Sequence, residues 1–401
     1  MASPMLVEKK ENCFACAACK AVCPTGAITM KADEYGFEYP KIDEGKCIGC
    51  QKCVKVCAYQ NQNDCSIPKT AYAAVSLSTN ILESASGGVF ASVATEFIND
   101  SGIVVGSAME NTGDKLLPHH IAVDNLTDLK KLLGSKYVQS DASEIFSTVK
   151  KLLDNGKKVL FSGTPCQVAA LYSYLGKKYD GLYTIDIICH GVPSRKMFWD
   201  YLDVISEKFG KITDFVFRDK KRGLTFVSRI KCEQNGKIKI KYIQYGESSY
   251  YSYFLQGNTY RDCCYSCKFA SEKRAGDITI GDFWGIKKQH PELFDGNHTE
   301  FDADKGISCL LVNTKKGEEL VENYAAKLSL HPSSFEKIAR ENKQLYEPSI
   351  PKGNRAEIMN IYKDGGYRAL ENDFLKNNQK EVLMAHVKAK APLWLKKIIK
   401  K

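Results

Sequence analysis

The chain lacks any run approaching eighteen uncharged apolar residues, so no segment reads as a membrane-spanning helix. Its first twelve residues, Met1 to Asn12, hold no apolar stretch of the signal-peptide kind, which argues against secretion. A recognisable nucleic-acid-reading motif is also missing. The formal net charge of +10 is therefore not gathered where a nucleic-acid partner would need it, and that class is set aside. Part of the basic excess lies at the end, where six lysines fall between Lys388 and Lys401 with no acid after Glu381. The remainder suits attraction of an anionic cofactor or an acidic electron-carrier protein. The last segment, Ala391-Pro-Leu-Trp-Leu-Lys-Lys-Ile-Ile-Lys-Lys, has two open readings: peripheral contact with an anionic membrane surface, or a solvated terminal helix packed by one face.

Cysteine, by contrast, is abundant, at sixteen in 401 residues. A chain this long buries its own core and needs no disulfide staples. Half of the cysteines stand in two tight runs, which is metal spacing and makes a reducing cytoplasm the expected compartment. With 44% hydrophobic and 26% charged residues, the composition is otherwise that of a globular protein of two or three domains.

The first run is Cys13-x-x-Cys16-x-x-Cys19-x-x-x-Cys23-Pro24. It recurs 34 residues later as Cys47, Cys50, Cys53 and Cys57, an internal repeat that predicts two half-modules related by a pseudo-twofold. In such runs three thiolates hold one [4Fe-4S] cluster and the fourth reaches across to the other. One cluster then takes Cys13, Cys16, Cys19 and Cys57, and the second takes Cys47, Cys50, Cys53 and Cys23. Ala15, Ala17, Ala18 and Gly49 are small enough to let backbone N–H groups approach the sulfides. Ala58 stands where a second proline would, which touches a turn and not a ligand. The competing reading is zinc, but zinc modules pair two Cys-x-x-Cys sets across a long gap. Residues 8–60 resemble two-cluster ferredoxins.

Beyond the module, helical periodicity is present in Gly87–Asn99 and Glu144–Asp154, and β-rich runs in Ile103–Val105, Lys158–Phe161 and Leu182–Ile188. Antiparallel candidates are Asp214–Phe217, Thr225–Cys232 and Lys237–Ile243, the last two joined at Asn235-Gly236, a hairpin signal. Residues 331 to 401 read as mostly helical. Three loops stand out. Ser86-Gly87-Gly88 precedes a helix, whose first N–H groups suit a phosphate. Gly163-Thr164-Pro165-Cys166-Gln167 and Cys189-His190-Gly191-Val192-Pro193 each follow a strand, where open α/β sheets bind ligands.

These loops, with Gly134-Ser135-Lys136-Tyr137-Val138-Gln139-Ser140, Arg218-Asp219-Lys220, Cys264-Tyr-Ser-Cys267-Lys-Phe269 and Asp277-Ile-Thr-Ile-Gly-Asp282-Phe283-Trp284-Gly285, resemble the coenzyme F420 hydrogenase/dehydrogenase beta-subunit family from about residue 70 to 350. The resemblance implies FAD and iron–sulfur clusters; some members reduce coenzyme F420, and related reductases use ferredoxin as donor. Many fusions of this kind resemble proteins encoded among bacterial polysaccharide-synthesis genes. It further implies a third [4Fe-4S] cluster on Cys166, Cys189, Cys264 and Cys267, with Cys263 as a rival to Cys264; the alternative leaves Cys166 and Cys189 as core residues. Cys65, Cys232 and Cys309 read as small apolar side chains.

The expected fold is an α+β ferredoxin-like two-cluster module (1–66), then an α/β flavin-binding domain with an antiparallel portion, and a helical basic C-terminal region (336–401). Within the middle domain, 67–155 corresponds to the family's N-terminal region and 156–335 to its C-terminal, flavin and third-cluster region. Ser86, Gly87, Gly88, Lys136, Thr164 and Gln167 are the expected cofactor contacts. His190, as proton donor, and Lys136 are the expected catalytic residues, each with a bland alternative as a core histidine or solvated lysine. Arg218, Arg222 and Arg274 are further candidates for an anionic cofactor, and Asp282-Phe283-Trp284 for a turn that packs its aromatic pair near the cluster loop. The expected activity is that of a flavin- and iron–sulfur-dependent oxidoreductase, exchanging electrons with a soluble carrier such as ferredoxin or F420 and hydride with F420 or another small organic substrate. A non-catalytic electron-transfer subunit of a larger complex is the alternative.

Overall fold

A computed structural model describes residues 4–61, 64–77, 79–222 and 226–390. The N-terminal module is built on one antiparallel hairpin, β1 (Ile28–Ala32) and β2 (Glu38–Ile42), whose turn is closed by the Asp33 carboxylate accepting from the amides of Tyr35 and Phe37 at 3.0 and 2.9 Å. Two short helices, Ala18–Val22 and Lys52–Lys55, flank it. The cysteine repeat extends to the backbone. Ala15 and Ala17 have φ of 50° and 61°, and 34 residues on Gly49 and Gln51 have φ of 66° and 60°. Left-handed backbone at residues with a Cβ costs about 1–2 kcal/mol each. Its recurrence at matched positions means that both halves turn their N–H groups in the same way around the same kind of guest.

The body is one eight-stranded mixed sheet. Its strands are β3 (Thr70–Ser76), β4 (Ile103–Asn111), β5 (Leu116–Val123), β6 (Val159–Gly163), β7 (Leu182–Ile187), β11 (Ile278–Asp282), β12 (Ser308–Val312) and β13 (Leu328–Ser333), in the order β13-β3-β12-β11-β7-β6-β4-β5. The numbers between belong to a separate antiparallel meander of β8 (Lys211–Val216), β9 (Val227–Gln234) and β10 (Lys237–Gln244). The central strands β4, β6, β7 and β11 pair in parallel, and the outer ones antiparallel. Helices cover the sheet, so the central strands are buried and apolar: Val104 and Val105, Val159 to Phe161, and Leu310 to Val312 are all at most 1% exposed. The division at 155/156 thus falls inside a single sheet.

Most expected elements are present with shifted bounds. The Ile103–Val105 run is the start of a nine-residue strand, because pairing with β5 extends it to Asn111. Asn235 and Gly236, with φ of 53° and 69°, make the tight turn between β9 and β10. Behind the meander, Phe215 and Ile230 pack against the helices Arg195–Phe209 and Arg355–Asn377. The C-terminal region is helical from Arg355 to Lys390, after the edge strand β13 and a short helix, Phe335–Ala339. Among the described residues no helix is long and apolar enough to cross a membrane. The segment Ala391–Lys401 lies outside the described residues, as does the side chain of Arg222.

Two polar hubs fix β7 to β11. Asp186 is fully buried and accepts from Arg274 Nη2 at 3.2 Å, Thr279 Oγ1 at 2.5 Å and the amides of Ala275 and Gly276 at 3.0 and 3.1 Å. Asp277 accepts from the Thr184 amide and hydroxyl, both at 2.8 Å. Arg274 is 1% exposed and is spent on this hub and on the Phe269 carbonyl, so it is no free contact for an anionic cofactor, contrary to expectation. Removing one partner of such a pair strands a buried charge. Arg274→Met is expected to lose about 3–5 kcal/mol of stability in chemical denaturation, and Asp186→Asn added to it to recover part of that loss.

Candidate functional site

The eight N-terminal thiols form two sets. Burial pushes the Cys19 thiol up to about 12, and its closest like-charged neighbours are Cys13, Cys57 and Cys53. Burial likewise raises Cys16, beside Cys19, Cys13 and Cys166, and raises Cys53, beside Cys50 and Cys23. Cys57 is thus among the charged neighbours of Cys19, as is Cys53, and Cys23 is among those of Cys53. Among the described residues no three cysteine sulfurs lie within 4.8 Å of one another.

The second feature is a cavity of about 550 Å³ at the carboxyl ends of the parallel strands β6, β7 and β11. Its wall comes from residues 84–86, 132–140, 162–167 and 187–192, from Cys264 and Cys267, and from Gly281, Asp282 and Trp284. Segments up to two hundred residues apart in sequence therefore converge, at the place where open α/β sheets bind ligands. Phe14, between Cys13 and Cys16, also reaches this wall and packs on the Phe269 ring at 5.5 Å.

Four thiols meet beside the cavity. Burial raises Cys189, whose like-charged neighbours are Cys264, Cys166 and Cys267, and raises Cys166 to about 12 beside Cys267 and Cys264. Cys263 hydrogen-bonds to Cys264, which holds Cys264 below the ordinary thiol value and keeps Cys263 protonated. Cys263 is buried in the apolar core and Cys264 is only partly buried. Both Cys263 and Cys264 line the cavity. Cys232 and Cys309 are fully buried on strands β9 and β12, as small apolar side chains would be.

Comparison with known proteins agrees with this layout. Residues 156–337 match the family model for the C-terminal part of the coenzyme F420 hydrogenase/dehydrogenase beta subunit, and residues 12–61 match the 4Fe-4S dicluster domain. It is similar to the polyferredoxin protein MvhB of Methanothermus fervidus, 43% identical over 53 residues, which are 13% of this chain and 11% of that protein. A ferredoxin-like protein in the vnf region of Azotobacter vinelandii is 38% identical over 46 residues, 12% of this chain and 71% of that one. Among solved structures, a chain of the xenon-derivatised F420-reducing [NiFe] hydrogenase complex from Methanosarcina barkeri is similar with a TM-score of 0.42 and 16% identity, over 80% of this chain and 94% of that one.

Within the beta-subunit region and the segment before it, the expected contacts sort into three groups. Ser86, Lys136, Thr164, Gln167 and His190 lie on the cavity wall. Gly87 and Gly88 do not. The Gly87 amide donates to Ser308 Oγ at 2.8 Å and that of Gly88 to the Ala85 carbonyl at 3.0 Å, so neither offers a free N–H to a phosphate. Gly87 is required for packing instead, since a Cβ there would come to 2.4 Å from the Ala74 carbonyl. The Lys136 ammonium donates to the carbonyls of Leu132, Leu133 and Gly134 at 3.1, 3.0 and 3.3 Å. Burial pulls it down to about 7, while these carbonyls at a helix end hold its protonated form. All its donors are engaged, so it is a wall-building group before it is a phosphate ligand.

Thr164 and Gln167 form a reciprocal cap on the helix Pro165–Leu175, and Gln167 Nε2 also donates to the Ser140 carbonyl at 3.3 Å. His190 differs. Its ring stands open to the cavity although protein surrounds it, burial lowers its pKa, and no hydrogen-bond partner for the ring is found among the described residues. Arg218 pairs with Asp282 at 2.5 Å and lies over the Phe226 and Trp284 rings at 5.2 and 5.8 Å. The aromatic pair separates: Trp284 faces the cavity, whereas Phe283 enters the core beneath the sheet.

Sequence reasoning passed over three residues. His120 is stacked on Phe161 and bonded to Ser140 Oγ at 2.9 Å, and burial lowers its pKa to about 4. Gln139 Nε2 donates to the carbonyls of Phe14 and Ala15, at 3.3 and 3.4 Å. Arg261, fully buried, donates to Gln139 Oε1 at 3.3 and 3.1 Å and to the Glu38 carbonyl at 3.0 Å. Only Gln139 stood in a quoted motif; nothing local marks Arg261 or His120. Gly87→Ala is expected to lower stability by about 1–3 kcal/mol through overpacking, read from thermal melting.

Proposed function

We propose that this chain is an iron–sulfur flavoprotein oxidoreductase that holds two [4Fe-4S] clusters in the dicluster domain, a third on Cys166, Cys189, Cys264 and Cys267, and a flavin in the adjoining cavity. The observation that carries this reading is the convergence of the motif loops on one cavity whose wall holds five cysteines, Cys166, Cys189, Cys263, Cys264 and Cys267. The first two clusters would take Cys13, Cys16, Cys19 and Cys57, and Cys47, Cys50, Cys53 and Cys23. A flavin bound there supplies the exchange between a hydride and single electrons, which is what clusters that hold one electron each require.

The chain's own residues shape that exchange. Phe226, Phe254 and Trp284 keep the cavity apolar and exclude water. Ser86, Lys136, Thr164 and Gln167 hold its loops in place, and would through them position a bound flavin. His190 is neutral at pH 7, because burial disfavours its charged form. Its ring is therefore able to donate or accept one proton at a substrate atom facing the cavity. F420 or another small organic molecule is the proposed hydride partner, and a ferredoxin-like carrier the proposed electron partner.

Metal, sulfide and flavin content of anaerobically prepared protein tests this. About twelve irons and one flavin per chain are expected, falling to about eight irons in Cys264→Ala but not in Cys263→Ala. About eight irons in the parent protein would remove the third cluster. With F420 and a reduced dye, His190→Ala is expected to lose roughly 10²-fold in kcat at unchanged cofactor content. Full loading with no turnover of the isolated chain would instead identify an electron-transfer subunit.

A further inference from the structure

Three of the chain's seven histidines gather away from the cavity, on the outer side of the sheet. His290 Nδ1 stands 2.7 Å from Glu292 Oε1, and His331 Nε2 stands 3.2 Å from the same oxygen. The three donor atoms all lie within 4.8 Å of one another, a convergence found nowhere else among the described residues. The remaining nitrogen of His290, Nε2, is 2.8 Å from Ser333 Oγ, which fixes the ring's orientation. His298 is the third histidine, its ring centroid 6.0 Å from that of His331.

We propose that His290, Glu292 and His331 bind one divalent ion of the zinc class, with Ser333 orienting His290. Two imidazole nitrogens and one carboxylate oxygen are a donor set for zinc, cobalt or nickel; they lack the thiolates of an iron–sulfur site and the all-oxygen shell of magnesium or calcium. Ser333 is the outer-shell partner that metal-bound histidines need to present the correct nitrogen. An entry path exists, since the side chains of Glu292 and His331 are 47% and 24% exposed while that of His290 is 2%.

The fold gives the site a purpose. His290 and Glu292 follow the short helix Ile286–Gln289, and His331 lies on β13, the edge strand of the sheet. An ion there clips the segment after the Gly-Asp-Phe-Trp motif to the sheet edge. His290 packs edge-on to Phe283 at 5.7 Å, and the flanking Asp282 and Trp284 are on the cavity wall. The ion is thus structural: it braces that wall from behind and takes no part in the chemistry.

The test uses cluster-loaded protein, stripped of loosely held metal with a chelator and titrated with Co²⁺ alone. One equivalent is expected to bind with the visible absorption of a low-coordinate nitrogen–oxygen site and to raise the melting temperature. In His331→Ala and Glu292→Gln, with iron content and circular dichroism unchanged, both effects are expected to vanish. Ser333→Ala is expected to weaken affinity roughly 10- to 100-fold. Binding that is substoichiometric in the parent, or that persists undiminished in both ligand variants, overturns the proposal. If one ligand variant misfolds, the other decides.

Discussion

The buried guanidinium of Arg261 ties the N-terminal cysteine module to the body of the chain, alongside the Arg195–Glu38 ion pair and the hydrogen bond from Ser194 to the Tyr35 carbonyl. Arg261 sits between the rings of Phe37 and Tyr39, at 5.0 and 4.7 Å, both from the N-terminal hairpin. It also donates to the hairpin's Glu38 carbonyl and to Gln139, which in turn reaches back to Phe14 and Ala15 in the first cysteine loop. Taking a charge out of water costs several kcal/mol unless it is matched, and here the match is two aromatic faces and main-chain and amide oxygens rather than a carboxylate. That choice leaves its positive field uncancelled. The same field pulls against burial at Cys13, where burial prevails and raises the thiol, and adds a smaller downward pull at Cys264 to that of the Cys263 hydrogen bond.

Docking in this register has a geometric consequence. Cys166, at the start of the helix that follows β6, is near enough to Cys16, of the first run, to raise its pKa. Phe14 and Phe269 pack across the same boundary. The first thiol set therefore faces the cavity-side set, and the second, with Cys47 and Cys50, is turned outward; Cys50 is exposed.

The cysteine repeat was legible because iron–sulfur chemistry is written in short-range spacing, and the proposed crossing of Cys23 and Cys57 between sets follows from it. The strand runs around Phe161 and Ile185 were equally plain, since buried parallel strands are apolar throughout. What spacing could not reveal was the use of polar groups. Arg274 and Arg261 read alike in sequence, yet one is matched to Asp186 and the other to rings and carbonyls, a distinction that exists only after residues far apart in the chain are brought together. The Gly87 amide is taken for the same reason: its acceptor, Ser308, is 221 residues away. His290 and His331 carry no motif at all, and their convergence depends on β13 returning to the sheet edge.

The polar groups of the cavity wall bear on how it works. Lys136 is engaged by three carbonyls and His120 by Ser140 and Ser162; beside the wall, Arg218 pairs with the wall's Asp282, and Lys220 donates to the carbonyls of Ile81 and Ser86. Groups already paired inside the protein do not reorganise when a ligand enters, so the cavity is built before it is filled, and binding carries little ordering cost. Gly191 adds to this rigidity by pressing its loop on the Tyr260 ring, where a Cβ would come to 2.4 Å. Against that fixed wall the atoms without a hydrogen-bond partner among the described residues stand out: Ser107 Oγ and Asp282 Oδ1, both buried, and the ring of His190. An unpaired polar atom in a largely satisfied wall is a place where a ligand's own polar groups can be received without rearrangement.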